Sequence, residues 1–459
     1  MTHLLLYETA SLVGLVLATT LACAPVQALG QVSQDRSPET NRPGLDAASV
    51  AAELREAASL LKLGKRDEAE LILRRVISVA PRNPDARNLL GIILDQRGQF
   101  KDAEREYRAA LSLNPNAISP LANLGVLLAR TGRSDEAIKS FEAVLDRAPD
   151  HPQATLNLGL QLVTRGYYAR AVPVLERSRQ LGLDGYETRQ KLGVALYNLK
   201  RHNEAVTTLE SAFALSPNSA EPLYYLGLIA WERGQDEAAQ ELWEKALTLR
   251  ADFAAANFML GELFAKRKDY STAKNYYEKT LSQDAAKDVY HIRLGGAYLY
   301  LRDFNRAFEI FKSASERFPQ IAEIHYFFSI AARARGLSDL SLTALNKALA
   351  INPDYADALA LFGAILLDKG NLVDSEKLFR RALLTNNDHY NANYHLGRLL
   401  VKQQNYVAAL PLLQRASKIL PENAEVHYQL FLTYSRLDRK ADARQELEMF
   451  KRLSREDKK

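Results

Sequence analysis

The chain has almost no cysteine: among its 459 residues there is one, Cys23, inside an apolar segment near the amino terminus. With one cysteine, the chain can form no internal disulfide, no cysteine-rich zinc site and no redox centre of two thiols. If the apolar segment is removed, the mature chain has no thiol, which suits an oxidising compartment where a stray thiol can mispair.

A strong excess of one charge sign is also missing. The 60 Lys and Arg residues nearly balance the 55 Asp and Glu residues, and the formal net charge is +5. Proteins that bind nucleic acid usually concentrate Lys and Arg on one face, and no basic block of that kind stands out here. We therefore expect no nucleic-acid partner.

The amino-terminal segment lacks charge from Thr9 to Gln34, and its apolar core runs from Leu12 to Ala24. That core is shorter than the roughly 20 apolar residues that a membrane-spanning helix needs. Small residues at Val26-Gln27-Ala28 have the spacing of a signal-peptide cleavage site. We predict a signal peptide over residues 1–28 and a periplasmic or secreted mature chain.

Two features keep other interpretations of this leader open. It has no Lys or Arg before its apolar core, and Thr20 to Cys23 loosely resembles a bacterial lipoprotein signal. The leader would then be an uncleaved anchor with the rest of the chain outside the membrane, or a lipid attachment site at Cys23. Membrane contact is expected only through this leader. The polar residues 29–49, with Pro38 and Pro43, are predicted to form a flexible linker.

From Val50 onward the sequence repeats with a period of 34 residues. Small residues lie twelve positions after each glycine of the repeat, such as Ala103 and Ala137, and large apolar residues lie four positions further on, such as Tyr107 and Phe141. Many of the repeats have a proline near their end, at the same position of the repeat. The glycines are Gly91, Gly125, Gly159, Gly193, Gly227, Gly261, Gly295, Gly363 and Gly397.

This pattern resembles the tetratricopeptide repeat superfamily, with its Leu-Gly, Tyr or Leu, Ala, aromatic and Pro positions, from Val50 to Asp457. The resemblance implies an all-α fold, a right-handed superhelical α-solenoid of twelve 34-residue helix-turn-helix repeats over residues 50–457. Two helices that cross closely need residues with little side chain at the contact, which explains the glycine and alanine positions. Glycines such as Gly98 are expected to end the first helix in a left-handed conformation.

In the superfamily, the first helix of each repeat lines a concave surface on which ligands lie. The second, fifth, ninth, twelfth and thirteenth positions of that helix form the expected exposed stripe. Aromatic residues dominate protein-binding hot spots, although the same residues can simply pack one repeat against the next. If they line a groove, Trp231→Ala should weaken binding with little loss of fold. The candidates are Tyr197, Tyr224, Trp231, Phe258, Tyr326, Arg333, Tyr394 and Tyr428.

Asn123 and Asn157 share the sixth position of consecutive repeats, and stacked asparagines can bind a peptide backbone. The series stops at Lys191, so it is shorter than the ladder found in the tetratricopeptide arm of O-GlcNAc transferases. His291 and His325 also share a position, but neighbouring helices lie about 9–10 Å apart, too far for unaided zinc binding. With no phosphate-binding loop or nucleophile motif in the chain, we expect no enzyme activity, cofactor or metal.

These observations favour a non-catalytic scaffold of the bacterial cell envelope that binds a protein or an extended peptide. Two alternatives stay open. One is an assembly subunit of a polysaccharide-export or secretion machine, and the other is a repeat arm related to O-GlcNAc transferases without the catalytic domain.

Overall fold

The computed structural model describes residues 46–456, which form 24 α-helices and no β-strand. The predicted signal peptide, Cys23 and residues 29–45 of the predicted linker lie outside the described residues. The chain divides into two compact units, with unit 1 ending at Ala251 and unit 2 beginning at Asp252. Odd-numbered helices are the first helices of their repeats and even-numbered helices are the second.

Unit 1 consists of six helix pairs, and the two helices of each pair pack against one another. Its helices are α1 (Ala47–Lys62), α2 (Arg66–Val79), α3 (Pro84–Gln96), α4 (Phe100–Leu113), α5 (Ile118–Arg130), α6 (Ser134–Arg147), α7 (Pro152–Thr164), α8 (Tyr168–Gln180), α9 (Tyr186–Asn198), α10 (His202–Leu215), α11 (Ala220–Glu232) and α12 (Asp236–Leu249).

Unit 2 contains six further pairs of the same design, so the prediction of an all-α solenoid of helix-turn-helix repeats is confirmed for the described residues. Its helices are α13 (Ala254–Lys266), α14 (Tyr270–Gln283), α15 (Asp288–Tyr300), α16 (Phe304–Arg317), α17 (Ala322–Ala334), α18 (Ser338–Ile351), α19 (Ala356–Asp368), α20 (Leu372–Thr385), α21 (Tyr390–Lys402), α22 (Tyr406–Ile419), α23 (Ala424–Arg436) and α24 (Lys440–Glu456).

The first helix begins three residues before the predicted array. Asp46 accepts a hydrogen bond from the backbone N–H of Ser49 at 2.8 Å and caps α1, which therefore starts at Ala47. A carboxylate at this position satisfies an amide that otherwise has no partner within the helix. Among the described residues, no helix combines the length and the apolar composition that crossing a bilayer requires.

Each pair crosses at the predicted small residues. A methyl group on Gly261 would lie 2.6 Å from the Cδ1 atom of Tyr277, so the ring of the second helix occupies the space that the glycine leaves. Tyr277 is buried, as is Ala273 at the other small position of this repeat. The crossing therefore needs glycine for close approach rather than for backbone freedom.

The turn between paired helices has a left-handed residue at the fifteenth position of every repeat. Gly98, with φ of 77°, shows the predicted use of glycine there. Sequence reasoning missed the five repeats in which another residue adopts the same conformation, at a cost of order 1 kcal/mol. They are Lys200, Lys268, Arg302, Gln404 and Asp438.

In several repeats, a polar side chain at the fourth position of the first helix forms a hydrogen bond with a backbone carbonyl of the preceding loop. His325 Nε2 lies 3.0 Å from the carbonyl of Pro319, and His291 Nε2 lies 3.2 Å from that of Ala285. Asn393 makes the equivalent bond, donating to the carbonyl six residues before it at 2.8 Å. These histidines are therefore part of the structure that joins repeats.

Candidate functional site

The candidate site is the surface formed by the second, fifth, ninth, twelfth and thirteenth positions of the first helices, here called the first-helix face. Separations of three, four and seven residues place these positions on one side of a helix. Eight of the predicted binding residues occupy them, whereas Asn123 and Asn157 are at the sixth position. Each of the two units has its own first-helix face.

Four of the predicted aromatic residues are buried: Tyr197, Tyr224, Tyr326 and Tyr394. The sequence placed them on an exposed stripe, and that expectation is wrong for these four. Neighbouring first helices in a unit approach closely enough that a ring at the fifth or twelfth position fills the space beside the next repeat. Their contact with a ligand stays a prediction.

In unit 1 the aromatic residues pack on one another. The ring of Tyr225 lies 5.6 Å from that of Tyr197 and 5.3 Å from that of Tyr224, both in edge-to-face geometry. Such pairs stabilise beyond the area they bury. Replacing Tyr224 is therefore expected to lower stability, contrary to the prediction that the candidates lie outside the packed core.

Trp231, Phe258 and Tyr428 retain part of their surface. Trp231 packs 5.9 Å from the ring of Trp243 in the second helix of its own repeat. Phe258 lies 4.9 Å from Tyr290, while Tyr428 is 39% exposed. Tyr428 is thus the most accessible of the predicted aromatic candidates.

Asn123 is buried and donates a hydrogen bond to the side-chain oxygen of Asn88, at 3.0 Å. Asn157 accepts from Gln153 in its own helix at 3.2 Å. Asn88 was not predicted from the sequence, because it is at the fifth position of its repeat, whereas Asn123 and Asn157 are at the sixth. The Asn88–Asn123 pair joins two first helices and satisfies buried amides, so it is part of the repeat interface.

Polar pairs also connect neighbouring first helices in unit 1. Tyr197 donates to Glu232 at 2.7 Å, and Lys200 lies 3.0 Å from the same carboxylate. Burial opposes the charge of Glu232, yet these two hydrogen bonds leave its pKa below the ordinary value. Burial, followed by the bond to Glu232, raises the pKa of Tyr197, whose hydroxyl therefore stays protonated.

Equivalent connections occur in unit 2. The side chain of Arg293 lies 2.9 Å from Glu262, which also accepts from the hydroxyl of Tyr277 at 2.5 Å. Tyr394 donates to Glu425 at 2.8 Å, and burial together with that bond raises the pKa of Tyr394 to about 12. Many polar side chains of this face thus form hydrogen bonds or ion pairs with a neighbouring repeat.

A more accessible group lies on the last four first helices of unit 2. Arg333 lies 3.0 Å from Asp368, and Arg398 lies 3.8 Å from the same carboxylate. Tyr428 follows on α23. Within residues 46–456, no three His, Cys, Asp or Glu side chains come together as a metal site requires. These side chains are open to solvent.

Within each unit, stacked helix pairs whose first helices share one face define a helical repeat scaffold. A family model described as tetratricopeptide repeat matches residues 54–118, 123–186, 191–239, 224–288, 292–356 and 360–424, and a second model of that description matches residues 400–457. The chain belongs to the tetratricopeptide repeat family. A comparison with curated proteins finds no match.

Solved structures are similar to this chain at low sequence identity. YrrB, described as a TPR protein with an unusual peptide-binding site, is 22% identical, with a TM-score of 0.38, over 42% of this chain and 97% of its own. Yeast Tom70 is 14% identical, with a TM-score of 0.39, over 85% and 96%. The pilF protein of Pseudomonas aeruginosa is 20% identical, with a TM-score of 0.40, over 46% and 97%.

Proposed function

We propose that this chain is a non-catalytic scaffold of the bacterial cell envelope that holds a protein or an extended peptide on its first-helix face. The observation that supports this most strongly is the accessible group in unit 2. Arg333, Asp368 and Arg398 keep 42%, 55% and 39% of their side-chain surface exposed, and Tyr428 is also open to solvent.

The spacing of this group suits an extended chain. Adjacent helices pack at about 9–10 Å, and an extended peptide advances about 3.3 Å per residue, so each repeat spans roughly three ligand residues. Side chains of the ligand would then meet the protein at intervals. An aromatic side chain combined with arginines is the composition that protein-binding hot spots favour.

The envelope location rests on the leader. The uncharged segment from Thr9 to Gln34, with its short apolar core, supports export followed by cleavage after Ala28. Amino-terminal sequencing of the fractionated protein tests this, and the expected first residue is Leu29. An intact Met1 in the membrane fraction would contradict cleavage, and lipid on Cys23 would instead identify a lipoprotein.

The binding role is tested by a pull-down from envelope extract with the immobilised mature chain and two variants. Tyr428→Ala changes an accessible ring on the first-helix face, while Val407→Ala changes a side chain that is 74% exposed on the second helix α22. We expect Tyr428→Ala to lose the captured polypeptide and Val407→Ala to keep it. Equal retention by both variants, or capture that survives protease treatment of the extract, contradicts the proposal.

A further inference from the structure

Three charged side chains from consecutive first helices of unit 2 meet on the first-helix face. Arg333 in α17 and Arg398 in α21 approach one carboxylate, that of Asp368, the last residue of the intervening helix α19. The Arg333 Nη2 atom lies 3.0 Å from Oδ2, and the Arg398 Nη2 atom lies 3.8 Å from Oδ1. All three side chains are at least 39% exposed, so solvent reaches the cluster.

The cluster has one more cation than anion. Asp368 ends its helix, where the free carbonyl groups carry partial negative charge, so its own helix does not stabilise the carboxylate. The two guanidinium groups offset that cost. At 3.8 Å, however, Arg398 is beyond the 2.7–2.9 Å or so of a charge-assisted hydrogen bond to Asp368. The side chain of Arg398 also interacts with the hydroxyl of Tyr394, which is a neutral partner.

A histidine in α21, His395, lies three residues before Arg398. The Nδ1 atom of His395 is buried and has no hydrogen-bond partner within the described part of the chain. Its ring stacks 5.7 Å from that of Phe379. Burial, followed by the charge of Arg398, lowers the pKa of His395 to about 4, so the imidazole adds no charge at neutral pH. The surplus of positive charge therefore comes from the arginines.

We propose that Arg333 and Arg398 bind an Asp or Glu side chain of an acidic polypeptide segment, with Asp368 as the resident competitor for the two guanidinium groups. The proposal rests on the scaffold function above and adds the chemistry of the ligand. The planar fork of a guanidinium group matches a carboxylate with two parallel hydrogen bonds. A second carboxylate would make the cluster electrically neutral.

The test uses three fluorescein-labelled octapeptides that differ only at four positions, which carry Glu, Gln or Lys. Each is titrated into the mature chain at low salt, and binding is measured by fluorescence anisotropy. The Glu peptide should bind saturably and at least about tenfold more tightly than the Gln peptide, as expected when several exposed ion pairs contribute. Absence of saturable binding by the Glu peptide would overturn the proposal.

Variants locate the binding. Arg333→Ala and Arg398→Ala should each weaken the Glu peptide about threefold, the effect of one exposed ion pair, and Asp368→Asn should strengthen it by a similar factor. Arg415→Ala is the matched control, because Arg415 is on the second helix α22, is 41% exposed and lies 3.5 Å from the carboxylate of Asp388. Circular dichroism confirms that each variant is folded.

Three outcomes would refute the assignment. If Arg415→Ala weakens the Glu peptide as much as Arg398→Ala does, the attraction is that of the whole surface. If millimolar inorganic phosphate displaces the peptide completely, the cluster is a general anion site. If the Arg variants bind a captured envelope polypeptide as the unchanged chain does, the inference fails while the scaffold function stands.

Discussion

Adjacent glycines in α15 allow the helix-crossing argument to be tested within a single helix turn. Gly295 is at the eighth position of its repeat, and Gly296 follows it. A methyl group on Gly295 would lie 2.6 Å from Cε2 and 2.8 Å from Cε1 of Phe311, whereas one on Gly296 meets no neighbouring side chain or other helix within 4 Å. Phe311 is fully buried, so the clash falls on a ring packed in the core.

The expected energies follow from this difference. Either Gly→Ala change inside a helix gains about 0.8–1 kcal/mol from helix propensity. Only Gly295→Ala also forces atoms into a filled core, which costs about 1–3 kcal/mol. Gly296→Ala should therefore stabilise unit 2 by up to about 1 kcal/mol, and the two variants should differ by about 1–3 kcal/mol. That difference is independent of helix propensity, because both variants gain it equally.

The assay is urea unfolding followed by circular dichroism, combined with hydrogen exchange of the α15 and α16 amides. Exchange is needed because helix pairs in a repeat array can open separately, and a global transition then averages over them. Gly295→Ala should raise exchange in both helices, while Gly296→Ala should lower it. Equal effects of the two variants would refute the view that glycine is kept for close approach of the second helix.

Three further outcomes are expected. Lys268→Gly should stabilise unit 2 by about 0.5–1 kcal/mol in urea unfolding, because Lys268 has a φ of 62°, and an unchanged or lower midpoint would contradict this. Because folding lowers the pKa of His395 to about 4, the free energy of unfolding should decrease as the pH falls from 6.5 towards 4. Between pH 7 and pH 5 the decrease should be about 2 kcal/mol. The variant His395→Gln should not show it. Glu262→Ala leaves the half-buried Arg293 without the carboxylate that lies 2.9 Å from it, and it should destabilise unit 2 by about 3 kcal/mol in urea unfolding. Arg293→Met should destabilise unit 2 less in the same urea experiment.

The fold could be predicted in detail because its signals are local and repeated. Glycine at the crossing position and glycine in the turn each reflect a steric need that recurs every 34 residues. Lys200 and Asp438 escaped prediction because a left-handed lysine or aspartate carries no mark in the sequence. The hydrogen bonds of the fourth-position histidines could not be predicted either, because their partner is a backbone carbonyl, which every residue has.

The site was less predictable, because it depends on distances between repeats. The register placed Tyr224 and Tyr326 on the correct side of their helices, but it did not show that neighbouring first helices would bury them. Arg333 and Arg398 are 65 residues apart, and in the sequence each resembles an ordinary surface charge. Their approach to Asp368 follows only from the stacking of three repeats.

The central claim is that a polypeptide lies on the first-helix face of unit 2, and site-specific photocrosslinking tests it most directly. The same photoreactive amino acid is placed at Tyr428 on α23 and, as the control, at Val407 on α22, both of which are accessible. After irradiation in cells, mass spectrometry identifies the crosslinked species. We expect one defined polypeptide joined at position 428 and none at position 407. Crosslinks of equal yield at both positions, or a carbohydrate at position 428, would contradict it.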